Sequence, residues 1–170
     1  MKTRSFRSIC ILLSTVFMTQ FAVAQKKMAS PRDSVQGKVG SASIMITYGS
    51  PSVKGRVIWG DLVPYGKVWR TGANEATTFK TDKDIMVEGK SLAKGTYGFF
   101  AIPGEKEWIL IFNKNAKQWG AYDYKQSEDV LRVTVKSKKS SSMNERLIYT
   151  INASGFSLLW ENLEVPVSIK

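Results

Sequence analysis

From about residue 42 onward, apolar and polar residues alternate with the two-residue period of half-buried strands. In SIMITY, Ile44 and Ile46 share one face and Ser43 and Met45 the other; VIWGDLV, TTFKT and IMVEGKSL follow, with turn residues at Gly89 and Gly95. The alternation is clearest toward the C terminus. Leu131, Val133 and Val135 alternate with Arg132 and Thr134, and Leu147, Tyr149 and Ile151 with Ile148 and Thr150. The last run sets Leu163, Val165, Val167 and Ile169 against Asn162, Glu164, Pro166 and Ser168. Pro166 cannot donate a ladder hydrogen bond, so this run belongs at a sheet edge. Lys136 to Asn144 reads as a polar loop, and the only helical hint is a short turn near Ser127 to Asp129. The pattern predicts an all-β chain: an antiparallel β-sandwich in a single domain over residues 41–170, with a barrel-like variant as the alternative.

One hairpin departs from this pattern. On either side of Pro103 to Lys106, Phe100 and Ile102 oppose Tyr97 and Phe99, and Trp108, Leu110 and Phe112 oppose Ile109 and Ile111. Both faces are therefore apolar, whereas a sandwich strand normally keeps one face wet. The second face needs a cover: another part of the chain, a homodimer contact through the Tyr97–Phe112 hairpin, or a ligand.

The N-terminal 24 residues are set apart. Lys2, Arg4 and Arg7 precede an apolar stretch from Ile9 to about Met18, and Ala22 and Ala24 flank Val23. This is the plan of a secretory signal peptide cut after Ala24, and the stretch is shorter than the roughly 20 residues of a membrane span. Cys10 lies too early to become a lipidated first residue. The expected product is a periplasmic or secreted protein with no transmembrane segment and no cysteine, stabilised by its core alone. Gln25 to Gly37 is polar and aperiodic, and residues 25–40 read as a flexible tether.

Composition narrows the chemistry. The chain has no histidine and one cysteine, Cys10, so Ser-His-Asp and Cys-His catalysis are excluded, as are ordinary zinc, copper and haem sites. No cofactor or metal is expected. The net charge of +11 becomes +8 without the three basic leader residues, which favours anionic partners, although no nucleic-acid-binding signature is present. Ser91 and Lys94 in SLAK show serine-lysine spacing, but in a predicted hairpin and not at a helix start. Asp82, Asp84 and Glu88 lack the loop pattern of a calcium hand and read as a solvated hairpin.

The densest cluster of functional residue types is PYGKVWRTGANEATTF, Pro64 to Phe79. Gly66, Gly72 and Asn74 permit sharp turns, Arg70 offers a planar donor fork for an anion, and Trp59, Tyr65 and Trp69 offer surfaces for stacking. With Arg56 and Glu75, these residues form the candidate ligand site: Arg56, Trp59, Tyr65, Trp69, Arg70, Asn74 and Glu75. The competing interpretation is a buried joint in which Trp69 fills the core and Glu75 pairs with Arg56 or Arg70.

Ser30-Pro31, the block YGSPSVKGRVIWGDLVPYGKVWRTGANEATTF, the hairpin GTYGFFAIPGEKEWILIFN, Trp119-Gly120 and the closing WENLEVPV resemble an uncharacterised bacterial family, domain of unknown function 2911. The resemblance implies an exported bacterial domain and carries no reaction with it. The functional expectation is a non-catalytic ligand-binding or envelope-associated module for an anionic or glycan ligand. The alternatives are a carboxylate-dependent hydrolase of envelope glycans using Glu75, and a self-associating structural subunit. N-terminal sequencing of the protein recovered outside the cytoplasm should begin at Gln25, whereas an intact Met1 would refute the leader.

Overall fold

The computed structural model describes residues 28–170. The leader, its cleavage position and Cys10 lie outside the described residues. Strands β1 (Arg32–Val39), β2 (Ala42–Gly49), β3 (Thr77–Thr81), β6 (Gly95–Ile102), β7 (Glu107–Asn113) and β8 (Asp129–Lys136) form a six-stranded antiparallel sheet in the order β1-β2-β3-β6-β7-β8. The long hairpin of β9 (Lys138–Asn152) and β10 (Gly155–Ser168) packs across it, and β4 (Ile85–Val87) pairs with β5 (Lys90–Leu92). Met86 exchanges backbone hydrogen bonds with Lys170, so β4 borders the end of β10; Val53 and Leu147 bond to Glu145 and Pro51 along the opposite border of β9. The result is an antiparallel β-sandwich. Its main sheet is open between β1 and β8, so the barrel-like variant is not realised.

The predicted inward positions form the core. Ile44, Ile46, Phe79, Phe99, Leu110, Phe112 and Val133 from the main sheet meet Leu147, Tyr149, Phe156, Leu158, Val165 and Val167 from the β9–β10 hairpin. In β10 the inward phase changes parity: Phe156, Leu158 and Trp160 are buried, then Val165 and Val167. The register shifts on both sides of Glu161, whose φ is +55°, and this bulge turns both sets of side chains toward the same core.

Two expectations are corrected. The tether contains β1, paired with β2 from Arg32 to Val39. It is polar because it is an edge strand with little burial, and only Val39 is fully buried. Lys136 to Asn144 is not a loop either, because β9 starts at Lys138 and pairs with β10 up to Glu164. Lys138 bridges Glu164 at 3.4 Å there, in a mostly solvent-exposed ribbon that needs no apolar signature. The short turn near Ser127 is present as a 3-10 helix, Gln126–Glu128.

The second apolar face of the β6–β7 hairpin is covered from within the chain. Phe100 and Ile111 pack with Ala76, Val68, Ala121 and Tyr124, the last two from the segment linking β7 to β8. That segment is tied down at Asp129. Its carboxylate accepts from Tyr124 Oη and Arg132 Nε, both at 2.7 Å, and from Asn113 Nδ2 at 2.8 Å. This cover removes the need for a homodimer contact on the inner part of that face.

The connection from β2 to β3, residues 50–76, re-enters the main sheet. The Trp69 N–H donates to Ala101 C=O at 2.7 Å and Ala101 N–H returns the bond at 2.9 Å, extending the β3 position along β6. The same segment crosses β2 so closely at Gly49 that a Cβ there would stand 2.0 Å from Ala73 O. Gly49→Ala should therefore cost about 3 kcal/mol or more through backbone displacement. Trp108→Ala, at a fully buried position, should cost about 3–5 kcal/mol. Urea melts of the two variants, beside an exposed control such as Met143→Ala, measure both effects.

Candidate functional site

At one end of the sandwich, four tryptophans from three parts of the chain converge: Trp59 and Trp69 on the 50–76 connection, Trp108 on β7 and Trp160 on β10. Trp69 and Trp160 stack with centroids 6.0 Å apart, and Trp59 meets Trp69, Trp108 and Trp160 edge-on at 5.9, 5.1 and 5.7 Å. Trp69 is buried, as the joint interpretation requires. It nevertheless lines a pocket of about 280 Å³ with Trp160, Arg56, Arg70, Asn74 and Leu62.

The pocket wall is made by an unusual piece of backbone. Thr71 and Asn74 have φ of +52° and +63°, a region that a β-branched residue rarely enters. Hydrogen bonding holds Thr71 there. Its hydroxyl donates to Phe99 C=O at 2.9 Å, and its carbonyl accepts from Tyr149 Oη at 2.8 Å and Thr77 Oγ1 at 3.1 Å. Asn74 Nδ2 donates to Ser30 C=O at 2.9 Å, binding the wall to the entry into β1. Such local strain, of order 1–3 kcal/mol, persists where surrounding contacts over-determine it.

The pocket is rich in donors. Arg56 is held by Ser52 C=O at 2.5 Å and Val53 C=O at 3.1 Å. Arg70 is half-buried, and its Nε has no hydrogen-bond partner among the described residues. Burial lowers the Arg70 guanidinium below its ordinary pKa, with Tyr122 opposing that shift. The Trp160 Nε1–H is buried and also lacks a partner among those residues. Among the described residues, no carboxylate lines the pocket. A half-buried guanidinium whose Nε lacks a partner is an environment that an anion relieves.

The structure thus brings together Arg56, Trp69, Arg70 and Asn74. Trp59 sits behind them in the tryptophan cluster, and Tyr65 is exposed, with its ring against Gly60. Glu75 points elsewhere. It pairs with Arg32 at 3.3 Å, replacing the expected partners Arg56 and Arg70, and lines a separate groove with Trp119. Sequence reasoning missed Trp160, whose signal was present in the even-numbered apolar run Phe156, Leu158, Trp160. The acidic hairpin residues serve as backbone acceptors: Asp82 for Ser43 N–H, Asp84 for Lys94 N–H and Glu88 for Ser168 N–H.

Fold and pocket together define an all-β sandwich domain with a donor-lined pocket at one end. The chain belongs to the family described as Protein of unknown function (DUF2911), whose model matches residues 30–169. No curated protein and no solved structure matches it.

The buried tyrosines make the site sensitive to alkali. Burial pushes the Tyr149 hydroxyl far above its ordinary value, and Tyr48, Tyr97 and Tyr124 are raised too, each chiefly by desolvation. Above pH about 10 the unfolded chain ionises its tyrosines while native Tyr149 keeps its proton, so stability present below that pH falls by about 1.4 kcal/mol per pH unit from this group. Tyr149→Phe should lose about 1 kcal/mol at neutral pH through the missing bond to Thr71. It should also show a shallower decline between pH 10 and 11.5 in urea melts, and an unchanged decline would show that another group controls it.

Proposed function

We propose that this protein is an exported, non-catalytic binding module of the bacterial envelope or its surroundings, and that the pocket under Arg70 takes an anionic group such as a carboxylate, phosphate or sulfate. The observation that carries the proposal is the half-buried Arg70, whose Nε has no partner among the described residues, in a pocket where those residues place Arg56 and no acid. Arg70 supplies a planar fork and the Trp160 indole a further donor, while Trp69 and Leu62 contribute apolar surface. The leader expected over residues 1–24 supports export, and the basic excess favours anionic partners. The hydrolase alternative has less support, since it asks for two carboxylates across a cleft and Glu75 is the one carboxylate that the described residues place in its groove.

Thermal-shift titration with inorganic phosphate, sulfate and succinate, at ionic strength matched with sodium chloride, tests the proposal. Binding at a hundredfold excess over Kd should raise stability by about 2.7 kcal/mol. Arg70→Ala should abolish the shift, Arg70→Lys should retain part of it, and Glu75→Gln should leave it intact. No anion-specific shift in the unaltered protein, or equal shifts with and without Arg70, would overturn this reading.

A further inference from the structure

We infer that the groove on the outer face of the main sheet, beside Trp119, is a second binding site and that its ligand is a sugar ring. The groove measures about 510 Å³, within the range of small-molecule sites, and lies across the 72–76 segment from the Arg70 pocket. Thr78 and Thr96 from the sheet contribute to its lining, with the Arg32–Glu75 pair, Gln118 and Trp119 around them.

Three observations point to a saccharide. Trp119 is 55% exposed although it lines the groove, so a large flat apolar surface is presented to solvent. The C–H face of a pyranose is apolar and matches such a ring, while its hydroxyls require polar groups at the edge. Those groups are present: Arg32 and Glu75 lie 3.3 Å apart and supply a donor fork and an acceptor, and Lys117 lines the same groove. Gln118 is the independent indication. It is 8% exposed, its Nε2 donates to Asn115 C=O at 2.9 Å, and its Oε1 is buried with no partner among the described residues. That is an acceptor which an entering hydroxyl satisfies.

The site is preorganised. Ala76 N–H donates to Gln118 C=O and Gly120 N–H to Asn74 C=O, both at 2.9 Å, fastening the Trp119 loop to the segment that carries Glu75. Little ordering cost remains for binding.

Intrinsic fluorescence and calorimetric titration with tetrasaccharides of glucose and of N-acetylglucosamine test the assignment. At least one should bind the unaltered protein and shift its tryptophan emission. Trp119→Ala, exposed enough to leave the fold intact, should weaken binding about tenfold or more, and Trp119→Tyr should recover part of the loss. Arg70→Ala should bind saccharide normally while losing the anion response, which separates this site from the proposed anion pocket. Absence of binding at millimolar saccharide, undiminished binding by Trp119→Ala, or loss caused by Arg70→Ala instead would overturn it.

Discussion

The structure depends on the return of the 50–76 connection into the main sheet at Trp69. Two backbone hydrogen bonds between Trp69 and Ala101 make a loop residue part of the sheet, and they set its indole against Trp160. The resulting cluster has a polar cost, because the indole N–H groups of Trp59, Trp108 and Trp160 are buried without partners among the described residues. Each orphan costs about 1–3 kcal/mol. A buried aromatic ring removes roughly 150–250 Å² from water, worth about 4–6 kcal/mol, so burial wins at each position. Edge-to-face geometry adds to the margin, and the end of the sandwich is closed by rings instead of by a disulfide.

From that closure follows the shape of residues 70–76. Trp69 must face the core and Thr77 must start β3, so the chain between them has few residues in which to reverse. It does so through left-handed Thr71 and Asn74, with Thr71 held by Phe99, Thr77 and Tyr149. Arg70 is carried to the pocket rim by the same geometry, and Glu75 to the other side. One short segment thereby separates a cationic pocket from a groove that holds the Arg32–Glu75 ion pair.

Several of these features were legible in the residues. Ile44, Ile46, Leu131, Val133 and Val135 occupy the inward faces that their alternation predicts, because a buried face selects for period two. The doubly apolar β6–β7 hairpin was equally legible as a surface needing a cover, although the cover itself was not. Ala121 and Tyr124 sit in a segment with no period, held by Asp129, which accepts from Tyr124 in that segment and from Asn113 on the neighbouring strand β7. β1 and the start of β9 escaped because edge strands and exposed ribbons pair through backbone atoms, which leave no trace in side-chain polarity.

By itself the order of residues determined the antiparallel all-β architecture, the absence of histidine chemistry and the concentration of ligand-capable groups around Trp69 and Arg70. These are local or compositional properties, set by side-chain period and by which functional groups exist. Only the tertiary structure decided that Arg70 has no acidic partner among the described residues while Glu75 takes Arg32, and that Trp160 completes the pocket across the bulge at Glu161. Pairing between residues 43 or more positions apart depends on strand register and backbone direction, and a single left-handed residue or bulge reverses which face a side chain joins.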